Sequence, residues 1–385
     1  MERSLAIEGR MDTNKWQVLI CLRTMRAKMG RRVSLFHICM FIVLFACFGA
    51  VSYLLYVTLQ YHHIPDNQQL DIAGAPSQQM LKNDTVYRIA TWNIGWGAYT
   101  PSFSAYQETG AMQDGTPSRG LYAKASDQST VEGTLRSIIA QAKQLQATMI
   151  LLQEVDGPSG RSRKVDERAM IESGMAGFES VWAENQHTAF LLWPPKDIQG
   201  STTSGLLTLS QHPIEEAVRR SYQADDAFPE IYFNLDPCFS IASLPVENGK
   251  TLYLINSQMV GAVKPLQLQK LVDVMLQIQD EGNYAVCGGD FSMVLAKTQF
   301  PTIQQKPVWA MEIDRNAIPD GLILYADEKT PTVRAADIPY QRGITYTTIV
   351  DGFLVTKGVR AQVSTVDIDF TLSDHQPVLL DFVLE

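Results

Sequence analysis

The side chains best suited to catalysis stand at the ends of short apolar runs or beside them. They are amides, carboxylates and one histidine: Asn93, Glu154, Asn256, Gln258, Asp290, Asp351, Asp374 and His375. A carboxylate next to a buried strand is costly unless it binds a metal ion or a strong hydrogen-bond donor. One such residue alone would be a solvated strand end. Several of them converging on one sheet edge predict a site for a hard cation with oxygen ligands, such as Mg²⁺.

Alternating strand and helix patterns must position these side chains. A capping box at 129–132 opens one helix, and Pro265 opens a second with apolar residues at helical spacing. The polar stretch 94–128 is predicted to be a long loop. Short apolar runs predict strands at 86–92, 149–155, 252–255, 284–287, 349–355 and 377–383. The alternation predicts one mixed α/β domain at 85–385, with strands packed between helices as a layered sandwich.

An uncharged apolar stretch near the N-terminus predicts a transmembrane anchor. Residues 33–59 contain no Asp, Glu, Lys or Arg, and about 20 apolar residues suffice for a helix to span a bilayer. Eight Lys and Arg residues lie in the tail 1–32, so the positive-inside rule keeps that tail in the cytoplasm and exports the main body. A cleaved signal peptide or a buried core helix fits this long run and its basic flank less well. The polar segment 60–84 is predicted to be a linker.

Charge and cysteine content narrow the classes of function. The net charge of −9 argues against nonspecific binding to nucleic acid, which needs Lys and Arg to neutralise phosphates. A nuclease stays open, because a bound divalent cation supplies local positive charge. Only Cys238 and Cys287 belong to the main body, so no disulfide framework is predicted. They suit small buried packing, and a single bridge between them stays open.

Six short motifs in the main body resemble those of the endonuclease/exonuclease/phosphatase superfamily. They are ATWNIG (90–95), LLQEVD (151–156), LINSQM (254–259), CGGDFS (287–292), VDGFLV (350–355) and SDHQPV (373–378). Their order and separations match that superfamily across nearly the whole main body. The longer phrases at 92–104 and 204–214 resemble a subgroup of membrane-anchored bacterial members.

The resemblance implies a fold and a set of roles. The fold would be a four-layer α/β sandwich, two packed mixed sheets flanked by helices, with the site at one end. Glu154 would hold Mg²⁺ or Mn²⁺, helped by Asn93 and Asp374. Asp290 would orient and deprotonate the attacking water. His375 would bind a nonbridging phosphate oxygen, with Asp351 or Asp374 fixing its ring.

Two positions depart from the superfamily pattern. Gln258 stands where relatives usually carry His, and Ser292 stands where they usually carry Asn. An amide donates a hydrogen bond but releases no proton, and general acid–base catalysis is worth roughly 10²–10⁴-fold. The sequence therefore predicts a divergent Mg²⁺-dependent phosphoesterase that hydrolyses a phosphomono- or phosphodiester outside the cytoplasmic membrane. The alternative is a catalytically weakened binding protein that retains the fold. Nucleic acid, lipid and small-molecule substrates all stay open.

Basic loops supply candidate substrate contacts. Arg161 and Arg163 follow the Glu154 strand and could clamp a substrate phosphate, although a solvated basic loop fits equally well. Tyr340, with Arg334 and Arg342 nearby, could likewise contact a substrate phosphate or belong to a solvated loop. Asn256, in the third motif, is also a candidate for substrate binding.

Overall fold

The structure, a computed structural model, describes residues 13–61, 63–224 and 236–385. The first twelve residues of the predicted cytoplasmic tail lie outside these ranges. The chain divides into two compact units, Met1–Leu59 and Gln60–Glu385. The larger unit contains every motif that the sequence singled out.

The N-terminal segment forms one continuous helix, α1 (Thr13–Gln60). Within it, Ser34–Gln60 has a mean hydropathy of 2.5, so it is long and apolar enough to cross a membrane. The helix begins well before the predicted span at 33–59, because no proline interrupts residues 13–60.

Two seven-stranded sheets form the centre of the larger unit. In spatial order the first comprises β1 (Gln68–Gln69), β9 (Glu216–Ser221), β10 (Cys238–Pro245), β11 (Thr251–Gln258), β12 (Tyr284–Asp290), β16 (Asp351–Thr356) and β13 (Leu322–Tyr325). The second comprises β17 (Val359–Thr365), β18 (Val378–Leu384), β3 (Tyr87–Asn93), β6 (Met149–Asp156), β8 (Thr203–Ser210), β7 (Glu179–His187) and β2 (Ile72–Gly74). Each is mixed, with one parallel pair: β11 with β12, and β3 with β6.

Helices cover the outer faces of both sheets. They are α2 (Gln128–Gln144), α3 (Glu167–Gly174) and α4 (Lys264–Asp280). Side chains alternate between the faces of each strand, so Leu151 enters the core between the sheets while Leu152 packs on the side of α2. Leu268 of α4 packs against the outer face of the other sheet. The predicted four-layer α/β sandwich is confirmed.

Part of the segment predicted to be a linker belongs to the domain. β1 pairs with β9, and β2 pairs with β7, so each adds an edge strand to one sheet. Leu81 is fully buried in the core between the sheets. Short edge strands satisfy the backbone groups that an open sheet edge exposes, which a polar composition alone does not reveal.

Two further details differ from the sequence pattern. Asp127 caps α2 by accepting a hydrogen bond from the backbone of Thr130, so the helix begins before the predicted capping box. The predicted long loop contains a short ribbon, β4 (Thr109–Ala111) with β5 (Pro117–Arg119). A second ribbon joins β14 (Val333–Arg334) to β15 (Thr347–Thr348).

Cys238 and Cys287 are buried free thiols, so no disulfide links them.

The topology brings the motif residues to one end of the sandwich. The carboxyl ends of β3 and β6 lie side by side because the two strands are parallel. β12 ends at Asp290, which pairs with Asp351 at the start of β16. The chain reaches the same end again just before β18.

Candidate active site

Carboxylates, amides and a histidine from both sheets line one pocket of about 260 Å³. The lining includes Glu154, Gln258, Asp290, Ser292, Asp374 and His375. Asn93 and Asp351 lie directly behind this wall and are almost fully buried. The structure thus brings together all the residues predicted to act in catalysis or metal binding.

Asn93 links two carboxylates of the site. Its Nδ2 donates to Glu154 Oε1 at 3.1 Å and to Asp290 Oδ2 at 3.3 Å. Its Oδ1 accepts from the backbone N–H of Gly95 at 3.0 Å, so the amide oxygen faces the loop after β3. As placed, Asn93 is a hydrogen-bond donor to the carboxylates, whereas the sequence predicted a metal ligand.

Glu154 reaches the pocket from an irregular position in β6. The pairing of β6 with β8 shifts register between Leu152 and Val155, and Glu154 has a φ of +54°. Non-glycine residues rarely adopt this conformation, and such strain concentrates at functional sites. The irregularity re-aims the side chain so that it leaves the regular alternation of the strand.

Gln258 belongs to the support of Glu154. Its Nε2 donates to Glu154 Oε1 at 2.9 Å, and its Oε1 accepts from Asn185 Nδ2 at 3.0 Å. The side chain is therefore held at both ends, with 2% exposure. Asn185 was not found from the sequence, because it lies on β7 and outside all six motifs.

Asp351 fixes the ring of His375. Nδ1 of His375 lies 3.1 Å and 2.9 Å from the two carboxylate oxygens of Asp351. Burial alone would lower the pKa of His375, but Asp351, Asp290 and Asp374 together raise it well above its ordinary value. Burial raises the pKa of Asp351 to about 6. Nε2 of His375 faces Asp290 Oδ2 at 3.9 Å, so this nitrogen is directed to the pocket side of the ring.

Ser292 fixes Asp290. Its backbone N–H and its hydroxyl both donate to Asp290 Oδ1, at 2.7 Å and 3.1 Å. Ser292 has a φ of +47°, and its carbonyl accepts from Lys264 Nζ at 2.7 Å. The position predicted to have lost an Asn therefore orients the candidate base. Lys264 also lines the pocket and was missed by the sequence analysis, because it lies outside the motifs.

The acidic side chains fit a hard divalent cation. Burial raises the pKa of both Glu154 and Asp374, which indicates carboxylates short of positive charge. Both residues offer oxygen ligands to the same pocket. Among the described residues, Asp290, Asp351 and His375 also bring ligand atoms within 4.8 Å of one another. In that second group, Nδ1 of His375 is engaged by Asp351, and Nε2 faces Asp290.

Arg161 is the one predicted substrate contact that reaches the edge of the site. Its guanidinium pairs with Asp156 at 2.8 Å and stacks over the ring of Trp96, 5.1 Å from the centroid. With Tyr99 and Glu154, it lines an adjoining cavity of about 430 Å³.

The other three predicted substrate contacts lie elsewhere. Arg163 donates to the backbone carbonyls of Ala125 and Ser126, which occupy its guanidinium. Asn256 is fully buried and donates to two backbone carbonyls between the sheets, so it cannot touch a substrate. Tyr340 donates to Asp369 and lines neither cavity of the site. Close spacing in the chain did not decide which side chains face the pocket.

Comparisons with known proteins find similarity only among solved structures. No protein family matches the sequence, and no curated protein does. An endonuclease/exonuclease/phosphatase from Beutenbergia cavernae DSM 12333 is 16% identical, with a TM-score of 0.49 over 78% of this chain and 72% of that one. An endonuclease/exonuclease/phosphatase family protein from Leptotrichia buccalis C-1013-b is 11% identical, with a TM-score of 0.47 over 77% and 99%.

Two further solved structures are similar at the same level. D. rerio TDP2, complexed with a single-strand DNA product, is 12% identical, with a TM-score of 0.44 over 78% of this chain and 99% of that one. ANGEL2, a 2′,3′-cyclic phosphatase, is 14% identical, with a TM-score of 0.47 over 83% and 99%. At these identities the similarity concerns the fold alone.

Proposed function

We propose that the unit Gln60–Glu385 is a divergent, divalent-metal-dependent phosphoesterase of the endonuclease/exonuclease/phosphatase superfamily. It would hydrolyse a phosphomono- or phosphodiester by direct attack of water. The observation that carries this proposal is the convergence in one pocket of three carboxylates, Glu154, Asp290 and Asp374, with His375, whose ring Asp351 holds from behind the pocket wall. A purely structural domain gains nothing from burying so many carboxylates together.

The side chains divide the chemistry among them. Glu154 and Asp374 would hold Mg²⁺ or Mn²⁺, which in such sites neutralises the phosphate and makes a bound water more acidic. Asp290, fixed by Ser292, accepts the proton of the attacking water. His375 donates from Nε2 to a nonbridging phosphate oxygen, and Asp351 keeps the ring charged and oriented.

The second candidate is a binding protein that has kept the metal site and lost turnover. Gln258 supports this alternative, because its amide donates a hydrogen bond to Glu154 but cannot act as a general acid. In this candidate the pocket would hold a phosphate group without cleaving its ester.

We also propose that α1 anchors the domain outside the cytoplasmic membrane. The apolar span Ser34–Gln60 and the eight basic residues of 1–32 support this orientation. The substrate proposal covers nucleic-acid, lipid and small-molecule phosphoesters alike.

The test is hydrolysis and metal binding by the full-length chain purified in mild detergent. A panel of phosphomono- and phosphodiesters with Mg²⁺ or Mn²⁺ should show turnover that EDTA removes. Asp290→Ala should lower turnover at least about 100-fold, with Mn²⁺ affinity by calorimetry largely retained. Glu154→Ala should weaken Mn²⁺ binding at least about tenfold.

The matched control is Asp273→Ala, since Asp273 is an exposed carboxylate on α4. It should change neither turnover nor affinity. Metal binding without turnover on any ester would favour the binding protein. Equal Mn²⁺ affinity in Glu154→Ala and the unmodified chain would remove Glu154 from the metal site.

A further inference from the structure

Arg334 lies in the wall of the site pocket, held there by its backbone. Its N–H donates to the carbonyl of Asp374 at 2.9 Å, and the preceding Val333 forms a β-bridge with His375. The side chain lines the same pocket as His375 and is 1% exposed. The β14 ribbon therefore carries a buried cation to the motif that contains the candidate catalytic histidine.

The guanidinium of Arg334 lacks a counter-ion. Three of its five N–H groups have partners, namely the carbonyls of Ala335, Tyr99 and Thr100 at 3.1–3.3 Å. Its Nε is buried without a hydrogen-bond partner. Within the described ranges, no carboxylate oxygen comes within 4.0 Å of the group. A buried guanidinium without a counter-ion destabilises the fold unless an anion binds beside it.

The two carboxyl groups that interact most with Arg334 do not neutralise its charge. Asp374 and Glu108 both raise the pKa of Arg334, although burial lowers it overall. Asp374 is a proposed metal ligand, so it shares its charge with the cation. Glu108 also lines the pocket, and burial raises its pKa to about 7, so part of it is neutral near neutral pH.

We propose that Arg334 binds a nonbridging oxygen of the substrate phosphate and selects a terminal phosphate group, which makes phosphomonoesters the preferred substrate class. This inference rests on the proposed function. A monoester has one more nonbridging oxygen and up to one more negative charge than a diester. Two basic side chains, Lys264 and Arg334, line the pocket beside the imidazole of His375. The adjoining 430 Å³ cavity shares Glu154 and Tyr99 with this pocket and would receive the esterified group.

The experiment compares two esters with one leaving group, p-nitrophenyl phosphate and methyl p-nitrophenyl phosphate. It uses the full-length chain in detergent with Mn²⁺. The unmodified chain should favour the monoester. Arg334→Gln should lower kcat/KM for the monoester by about 10- to 100-fold, the effect of one charge-assisted hydrogen bond. It should lower kcat/KM for the diester by less than about threefold, and added guanidinium should restore part of the monoester activity.

Arg163→Gln is the matched control, because Arg163 also donates to backbone carbonyls but lies away from the pocket. It should leave the ratio of the two kcat/KM values unchanged. Arg334→Lys, which keeps the charge and loses the planar fork, should fall between the unmodified chain and Arg334→Gln, and it replaces Arg334→Gln if that variant fails to fold. A parallel loss for both esters would overturn the assignment and leave Arg334 a structural residue.

Binding of inorganic phosphate to the Mn²⁺-loaded protein separates this proposal from the proposed function. If the unmodified chain cleaves neither ester, the phosphoesterase proposal fails. Phosphate affinity that falls at least about tenfold in Arg334→Gln or Arg334→Lys would still support the anion site. Equal phosphate affinity in these variants would overturn it.

Discussion

Three residues at the candidate site have a left-handed backbone conformation. Glu154, Ser292 and Trp96 have φ values of +54°, +47° and +38°, although none is glycine. Each lies at the site: Glu154 and Ser292 line the pocket, and Trp96 stacks on Arg161 at its edge. Conformations of this kind persist only where surrounding contacts hold them, and they cluster at functional sites. Seven other described non-glycine residues, among them Arg163 and Asp369, also have a positive φ, so this conformation by itself does not locate the site.

Gln258→His tests whether the missing histidine limits turnover. A histidine here can donate to a substrate phosphate in place of one of the two hydrogen bonds that the amide now makes with Asn185 and Glu154. We expect turnover of a simple phosphodiester to rise roughly 10- to 100-fold, the value of one charge-assisted hydrogen bond. Lower turnover would mean that the native amide has a specialised role.

Glu108→Gln should stabilise the protein only above about pH 4.5. The pKa of Glu108 is raised from 4.5 to about 7 by burial, so its ionised form is penalised in the folded state. Below pH 4.5 the group is protonated in both states and the penalty is absent; above pH 7 it is fully present. The free energy of unfolding should therefore rise in the variant by up to about 3 kcal/mol between these limits.

Urea unfolding of the metal-free protein at several pH values measures this difference. Glu328→Gln is the control, because Glu328 is exposed, and its effect should not vary with pH. A constant gain at every pH would show that the charge of Glu108 is not the cause.

The site residues lie on paired strands that end or begin at one end of the sandwich. Two parallel pairs, β3 with β6 and β11 with β12, end together, and β16 starts beside Asp290 in register. The polar ribbon β14–β15 joins the same end through the bridge from Val333 to His375. Because the contributing residues lie on separate elements, only the packed sandwich places them within hydrogen-bonding distance.

Leu81→Ala tests whether the segment before β3 belongs to the domain. Leu81 is fully buried between the two sheets, and its truncation would leave a cavity. We expect the free energy of unfolding to fall by about 2–5 kcal/mol. The neighbouring Met80 is 46% exposed, so Met80→Ala should change it by less than about 0.5 kcal/mol. Equal, small effects of both variants would restore the linker interpretation.

At the scale of the whole molecule, one apolar helix and one enzyme-like domain make up most of the chain. Ser34–Gln60 is exposed along most of its length, and the larger unit has its own cores between and outside the sheets.

The proposed orientation predicts the outcome of protease treatment of intact cells that express the chain. Protease outside the cytoplasmic membrane should digest the larger unit and spare a tag placed at the N-terminus. Detergent should expose both. Protection of the larger unit until lysis would place it in the cytoplasm.

The sequence by itself determined six strands and two helices of the larger unit, the apolar span and the motif residues of the pocket. These features are local, because helices and strands produce periodic patterns of apolar residues and a membrane span is a long apolar run. The motifs supplied Glu154, Asp290, Asp374 and His375 as a set, and the structure places these four in one pocket.

Only the tertiary structure decided which groups touch. It chose Asp351 over Asp374 as the partner of His375 Nδ1. It separated Arg161, at the edge of the site, from Arg163, two residues further along the chain. It brought Asn185 to Gln258 and Arg334 to the pocket wall from distant parts of the chain. Such contacts depend on strand pairing and on irregularities such as the shift at Glu154, which no local pattern encodes.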